Sequence, residues 1–243
     1  MKTRLLTIAL AALTVVLLTS CNRDNVPGNK DNVPERPTDF APEGCEAVDL
    51  GLSVNWASFN VGATNDHDYG SYFAWGETDT KDYYDWSKDG DYKWGVYDKS
   101  AKPLCGMKKY TGNLEGGDGL SVLKPEDDPA TVKWGTRWRT PTFDEITELN
   151  RDCEWLWLER EKGFLVTGRN GNSIFLPSTG EYSKDVKPTT GISATYWSST
   201  VGPTNPELPY LISCGFTHLV GAGERCVGRP VRAVAARDVT EVK

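Results

Sequence analysis

Short apolar stretches separated by turn residues make up the chain from residue 45 onwards, and in several of them apolar and polar positions alternate. Alternation with a period of two, in a region rich in tryptophan, tyrosine and glycine, predicts short β-strands. The predicted strands are residues 55–61, 71–75, 164–168, 173–176, 195–199, 210–216 and 229–235. Asn170-Gly171 lies between two of these strands and predicts a hairpin with a type I′ turn.

Helical patterns are confined to residues 128–153. Pro129 at a first helical position and Gly135 after the last one predict a short helix. Thr142 and Glu145 have the spacing of a capping box, which predicts the start of a second helix and explains Glu145 without a catalytic role. The apolar positions that follow are spaced to form one buried stripe and are Ile146, Leu149 and Cys153.

The N-terminal residues 1–20 have the features of an export signal, with Lys2 and Arg4 followed by an apolar run. That run is about half the roughly 20 residues that a helix needs to cross a bilayer, so it predicts a cleaved signal peptide. Leu18-Thr19-Ser20-Cys21 resembles a bacterial lipobox, and lipid on Cys21 is expected to anchor the mature chain. The alternative is an ordinary signal peptide followed by a coincidental cysteine.

Residues 21–44 are rich in proline and repeat the sequence Asp-Asn-Val-Pro, which predicts a flexible tether. Residues 45–236 are predicted to form a single folded domain, and residues 237–243 a C-terminal tail. The lipid anchor is the expected membrane contact. The expected location is the outer membrane, and the periplasmic face and the cell-surface face are the two alternatives.

Removal of Lys2 and Arg4 with the signal peptide leaves 25 basic and 34 acidic residues, a net charge of −9. A chain this acidic is not expected to bind nucleic acid. Besides Cys21 the chain has five cysteines, an odd number, in a compartment that permits disulfides. Cys214 and Cys226 could cross-link neighbouring strands, and the alternative is that they are unpaired buried thiols.

Seven short motifs occur in order between residues 48 and 234. They are Asp49-Leu50-Gly51-Leu52, Asn60-Val61-Gly62-Ala63, Tyr69-Gly70-Ser71-Tyr72-Phe73-Ala74-Trp75-Gly76-Glu77-Thr78, Trp138-Arg139-Thr140-Pro141-Thr142, Gly171-Asn172-Ser173-Ile174-Phe175-Leu176-Pro177, Tyr196-Trp197-Ser198-Ser199 and Arg229-Pro230-Val231-Arg232. Together they resemble the Fibrobacter succinogenes major paralogous domain family of Bacteroidetes lipoproteins. The resemblance implies an α+β, C-type-lectin-like single domain with short twisted antiparallel strands, two helices and long loops.

The sequence contains no Gly-x-Ser-x-Gly, phosphate-binding glycine loop, His-Glu-x-x-His or Cys-x-x-Cys motif. The resemblance extends to formylglycine-generating enzymes, which use two reactive cysteines, but Cys214 and Cys226 do not match their spacing. Asp127 and Asp128 are expected to cap a helix rather than to hydrolyse a glycoside. We therefore expect no enzyme; a formylglycine-generating-enzyme-like oxidase or hydrolase is the alternative.

One segment copies the first half of a calcium-binding EF-hand loop. Its oxygen-bearing residues are Asp85, Ser87, Asp89 and Asp91. Lys93 and Val96 stand where the second half needs ligands, so calcium binding is expected to be poor. No other cofactor or metal is expected, because two histidines and no metal motif are present.

Residues 69–97 hold ten aromatic side chains, and charged residues surround those in the second half. Aromatic rings among charges suit ligand recognition, by stacking on sugars or filling protein pockets. The predicted ligand-binding residues are Tyr84, Trp86, Trp94 and Tyr97, with packing of a long loop as the alternative. The function expected from these features is a non-catalytic binding or adhesion module for a glycan or a surface protein. A structural subunit of a surface assembly is a further alternative.

Overall fold

A computed structural model of the chain describes residues 37–86, 92–102 and 106–237. The strands are β1 (Ala47–Val48), β2 (Val54–Asn60), β3 (Trp138–Arg139), β4 (Glu154–Leu158), β5 (Gly163–Thr167), β6 (Ser173–Pro177), β7 (Ala194–Gly202), β8 (Asn205–Cys214), β9 (His218–Ala222) and β10 (Arg232–Ala236). The helices are α1 (Pro129–Trp134) and α2 (Phe143–Asp152), with a short 3-10 helix at Pro125–Asp127. In these residues the fold is α+β, as predicted.

The strands form three small antiparallel sheets. Their orders are β1-β2-β10-β3, β4-β5-β6 and β7-β8-β9. The first sheet joins the two ends of the domain, because Val234 of β10 pairs with Trp56 of β2 and with Arg139 of β3. The second and third sheets are successive hairpins, so β4 and β6 are the edge strands of the second sheet, and β7 and β9 those of the third.

The hairpin predicted at Asn170-Gly171 is confirmed, since β5 and β6 pair over five residues on either side of it. The predicted type I′ turn is wrong. That turn needs positive φ at both central residues, but within this loop only Gly171 has a positive φ, of 86°. The Gly171 N–H donates to the Gly168 carbonyl at 3.0 Å, so Gly171 closes the turn instead of occupying its centre.

The predicted strand at 71–75 is replaced by an irregular segment with one bridge, from Phe73 to Arg229. Gly70 and Gly76 flank it with positive φ values of 72° and 74°, which end any extended run. The alternation of apolar and polar residues in this segment therefore reflects burial of Phe73 and Trp75 and not pairing in a sheet.

Strands β1, β3, β4 and β9 were not predicted, and residue 216 lies after β8 and not within it.

Both predicted helices are present with the predicted N-terminal signals. Asp128 caps α1, and Pro129 occupies its first position. The capping box of α2 is complete: the Thr142 hydroxyl accepts from the Glu145 N–H, and the Glu145 carboxylate accepts from the Thr142 N–H. Ile146 and Leu149 are buried as predicted, whereas the predicted third stripe residue, residue 153, lies beyond the helix end and is half-buried.

Tryptophan side chains organise much of the core. Trp75, Trp138 and Trp197 are each about fully buried and belong to one apolar cluster. Their indole N–H groups are satisfied: Trp75 donates to the Ser198 carbonyl at 2.7 Å and Trp197 to the Phe73 carbonyl at 2.9 Å. A second cluster packs α2 against β2, β5, β6, β7 and β8. Among the described residues, no helix is long and apolar enough to cross a bilayer.

The folded unit begins before the predicted boundary at residue 45. The Phe40 N–H donates to the Trp134 carbonyl at 2.6 Å, and the Trp138 indole N–H donates to Asp39 at 2.8 Å. Thr38 likewise bonds to Thr136. Residues 38–41 are thus packed onto the domain instead of belonging to the tether. Residues 1–36, which include the predicted signal peptide, Cys21 and most of the predicted tether, lie outside the described residues, as do residues 238–243 of the predicted tail.

Arg232 is a fully buried arginine that joins two sheets. Its guanidinium donates to the Asn60 side-chain oxygen at 2.8 Å and to the Ala57 carbonyl at 3.1 Å, both on β2. A third bond reaches the Phe175 carbonyl on β6 at 2.9 Å. Burial lowers the pKa of Arg232 to about 10. No carboxylate of the described residues forms an ion pair with it.

Candidate functional site

A cleft of about 630 Å³ lies between the β4–β5 hairpin, the segment before β7 and the β8–β9 turn. We call it the aromatic cleft. Its apolar lining comes from Trp155, Trp157, Phe164, Ile192 and Phe216, and its polar lining from Glu159, Lys162, Ser193, Thr217 and His218. Its volume is within the range of about 300–1,000 Å³ that small-molecule sites occupy.

The period of strand β4 places its two tryptophans on one face. Trp155 and Trp157 are two residues apart, so both point toward the cleft, while Leu156 between them is exposed on the other face. Phe164 of β5 lies directly opposite Trp157 and contacts both indoles, at ring distances of 5.9 and 5.1 Å. The edge-to-face geometry of these contacts holds the two rings in fixed orientations.

His218, at the start of β9, stacks on Trp155 with a ring distance of 4.6 Å and an angle of 10°. Its Nδ1 lies 2.9 Å from the Asn150 side-chain oxygen on α2, so an Nδ1–H donates there. Burial lowers the pKa of His218 below its ordinary value of 6.5, because the charged imidazolium is poorly solvated. The imidazole is therefore uncharged at neutral pH and forms one wall of the aromatic cleft.

This pKa shift predicts a pH-dependent stability. Below the ordinary pKa of 6.5, the unfolded chain binds a proton at His218 more readily than the folded chain does. We therefore expect the free energy of unfolding to fall as pH drops below about 6.5, and to level off once the folded imidazole is protonated. Urea unfolding between pH 5.5 and 7.5 measures this slope. In His218→Phe, which retains a ring against Trp155, the slope should decrease; an unchanged slope would contradict the assignment.

A charged pair forms the far end of the cleft. The Trp157 indole N–H donates to Glu159 Oε2 at 2.6 Å, and Lys162 Nζ bonds to Glu159 Oε1. The hydrogen bond from Lys162 is the main cause of a lowered pKa at Glu159. Lys162 has a positive φ of 53°, which is uncommon for a residue with a side chain.

Two apolar side chains at the mouth of the cleft face solvent. Phe216, in the turn between β8 and β9, is fully exposed, and Ile192 is 63% exposed. The Gly215 N–H donates to the Thr217 carbonyl at 2.9 Å, so the backbone of this turn is fixed while Phe216 projects from it. Exposed aromatic side chains beside a concave apolar surface are typical of binding sites.

The aromatic residues predicted to bind a ligand do not form an exposed surface. Tyr84 is 1% exposed, and its hydroxyl donates to the Tyr72 carbonyl at 2.6 Å. Trp86 is half-buried against Tyr92, at a ring distance of 5.2 Å. Tyr97 is the exposed exception and lies beside Trp86, with ring centres 5.7 Å apart.

Trp94 is also a packing residue and not an exposed platform. Its indole N–H donates to the Gly76 carbonyl at 2.7 Å. Lys93 and Lys109 lie over its ring at 4.2 and 4.7 Å from the centroid, and both amines bond to the buried Asp127. None of Tyr84, Trp86, Trp94 and Tyr97 lines the aromatic cleft. The alternative, packing of a long loop, explains three of these four residues.

The calcium prediction falls mainly outside the described residues, which omit Ser87, Asp89 and Asp91. Asp85 is described, and its carboxylate accepts from the Trp86 N–H at 2.8 Å and lies 3.9 Å from Lys184 Nζ. Among the described residues, no group of three or more histidine, cysteine or acidic side chains could hold a metal ion.

Cys214 and Cys226 are free, buried thiols that lie in separate apolar clusters, so the structure does not join them by a disulfide. Burial raises the pKa of Cys226 to about 12 and raises the pKa of Cys214 as well. A thiol held protonated is a poor nucleophile. Neither cysteine has the environment of a reactive residue.

Comparisons with protein-family models, with curated proteins and with solved structures find no match to this chain. The site therefore rests on its own geometry. Sequence reasoning missed Trp155, Trp157 and Phe216, although Glu154–Leu158 carries a signal: two tryptophans two residues apart, next to a charged position, match an amphipathic strand. No local sequence pattern marks Phe216 and Ile192 as site residues, because the cleft that they share with Trp157 is formed by three separate chain segments.

Proposed function

We propose that the protein is a non-catalytic glycan-binding module of the cell envelope, with a C-type-lectin-like fold and a lipid anchor on Cys21. The observation that carries this proposal is the aromatic cleft, in which Trp155 and Trp157 are fixed on one strand face and Phe216 projects at the rim. The predicted signal peptide and tether support display at a membrane, and the motifs quoted above support the lectin-like fold.

A sugar fits this lining better than an apolar ligand does. A pyranose ring has a flat face of C–H groups and an edge of hydroxyls, so it needs aromatic surface and hydrogen-bonding groups together. Trp157 offers the first, and Glu159, Lys162, Ser193 and Thr217 offer the second within the same cleft. Such a combination of apolar lining with a few polar groups is typical of specific small-ligand sites.

The enzyme alternative gains little support from the described residues. It requires a reactive cysteine, and Cys214 and Cys226 are buried with raised pKa values. Asp128 is fully engaged as a helix cap, which supports a structural role for it. A protein ligand in the same cleft is a competing outcome, because exposed aromatic residues also mark protein interfaces.

A glycan array probed with the mature lipoprotein in detergent, followed by calorimetry on the best ligand, tests the proposal. Trp157→Ala and Phe216→Ala are each expected to weaken binding about five- to 150-fold, since one stacked ring contributes about 1–3 kcal/mol. Phe216 is fully exposed, so its replacement should not disturb folding. Thermal unfolding provides the check for both variants.

Trp86→Ala is the matched control. It removes a half-buried tryptophan of the loop chosen from sequence and leaves the aromatic cleft intact. Glycan affinity should stay within about twofold of wild type. Loss of binding in Trp86→Ala with full binding in Trp157→Ala and Phe216→Ala would move the site to that loop, and binding of a protein but no glycan would replace the proposed ligand class.

A further inference from the structure

We propose that the aromatic cleft selects an uncharged saccharide, and that Lys162 determines this specificity through its ion pair with Glu159. The proposal rests on the glycan-binding function proposed above and adds the chemical class of the sugar. Two independent observations carry it: the charge balance of the cleft lining and the backbone conformation of Lys162.

The polar lining of the cleft carries no net charge. Glu159 and Lys162 are the charged residues of the described lining, and they neutralise each other through a direct contact. His218 has a lowered pKa and is uncharged at neutral pH. The remaining polar side chains, those of Ser193 and Thr217, are hydroxyls. An anionic ligand would find no free cation here, and the mature chain is itself acidic.

A charged ligand would also disrupt existing contacts. Glu159 holds both Lys162 and the Trp157 indole N–H, at Oε1 and Oε2. A ligand carboxylate that displaced Glu159 from the Lys162 ammonium would leave the Glu159 carboxylate without a counter-charge. The two carboxylates would then lie close to each other. The repulsion between the two carboxylates would oppose binding. The pair therefore discriminates against uronic acids and other acidic sugars.

Sugar hydroxyls, in contrast, can bond to the pair without breaking it. The ammonium of Lys162 has three N–H donors and gives one to Glu159, so two can donate to hydroxyl or ring oxygens. Each oxygen of Glu159 has a second lone pair that can accept from a hydroxyl. Hydrogen bonds to charged groups are stronger than those between neutral groups, so these contacts would favour a hydroxyl-rich ligand.

The backbone conformation of Lys162 indicates that its side chain has a role other than forming the turn. A φ of 53° favours glycine, and a residue with a Cβ is strained there. The stem of Lys162 runs across Gly191, where an added Cβ would lie 3.7 Å from its Cβ and Cγ. Gly191, which has no side chain, therefore leaves the space beside the stem of Lys162 open. Lys184 has a similar φ, of 56°, but does not line the cleft.

Calorimetry with matched neutral and acidic oligosaccharides of equal length tests the ligand class. Neutral ligands should bind at least about tenfold more tightly than their uronic-acid counterparts. Their affinity should change by less than about twofold between 0.05 and 0.5 M NaCl, because no ligand charge is screened. A preference for acidic sugars whose affinity falls as salt rises would overturn the proposal.

The variants Lys162→Gly and Lys184→Gly test the role of the side chain. Both relieve a positive φ, so neither should lower the thermal midpoint. Lys162→Gly should lose at least about tenfold in affinity for the neutral ligand and should discriminate more strongly against the acidic one, because Glu159 keeps its negative charge without its counter-ion. Lys184→Gly should bind as wild type. Full affinity and selectivity in Lys162→Gly would refute the role of Lys162.

These results separate the two proposals. If no saccharide binds, or if binding survives Trp157→Ala and Phe216→Ala, the glycan-binding function of the cleft fails and the present inference fails with it. If an acidic saccharide binds and depends on Trp157, the function stands and only the inference about charge is overturned.

Discussion

Arg232→Ala is expected to lower the free energy of unfolding by about 3–5 kcal/mol. The guanidinium donates to three acceptors, at Asn60, Ala57 and Phe175, and all of these contacts are buried. Each acceptor left without a donor costs about 1–3 kcal/mol, and the cavity adds to this loss. The variant no longer buries a charged group, and the desolvation cost that this avoids offsets part of the loss in stability. Urea unfolding of the wild type and the variant measures the difference.

Two further variants identify the cause of this loss. Arg232→Met nearly conserves volume, so it isolates the hydrogen bonds and should still cost about 2–3 kcal/mol. Arg237→Ala is the control, because Arg237 is half-exposed, its bond to Asp49 is exposed and its bond to the Leu52 carbonyl is only partly buried; it should cost about 1 kcal/mol or less. If Arg232→Met were as stable as the wild type, the cost of burying the charge would equal the gain from its bonds.

Local signals in the sequence predict the elements whose stability is local. The α2 capping box depends on Thr142 and Glu145, three residues apart, and the α1 start depends on Asp128 and Pro129. The β5–β6 hairpin likewise follows from two strands on either side of Gly171. Its turn type was wrong because the loop uses five residues, 168–172, and not two.

The aromatic cleft is not a local feature of the sequence, and sequence reasoning chose the residues of a different loop. Density of aromatic residues does not distinguish exposed from packed rings: Trp94 is bonded to Gly76 and covered by lysines. Exposure depends on which segments pack together, as for Phe216 at the mouth of the cleft. The start of the domain was missed for the same reason, since Asp39 is held by Trp138, 99 residues away.

Asp128→Ala is expected to lower the free energy of unfolding by about 2–4 kcal/mol, more than loss of a helix cap alone would. The carboxylate accepts from the N–H groups of Ala130 and Thr131, at 2.9 and 3.4 Å, which is the capping role predicted from sequence. It also accepts from the Thr140 N–H and hydroxyl, each at 2.8 Å. Asp128 therefore ties the start of α1 to the segment that leads into α2.

Thr142→Ala separates the two contributions, because it removes the cap of α2 and leaves the Thr140 contacts intact; it should cost only about 1 kcal/mol. Asp128→Asn keeps the volume but places an amide N–H₂ where one carboxylate oxygen accepts, so its cost should lie between those of Thr142→Ala and Asp128→Ala. Urea unfolding of the three variants gives this order. Equal costs for Asp128→Ala and Thr142→Ala would mean that the bonds to Thr140 contribute nothing, and that Asp128 acts as a helix cap and no more.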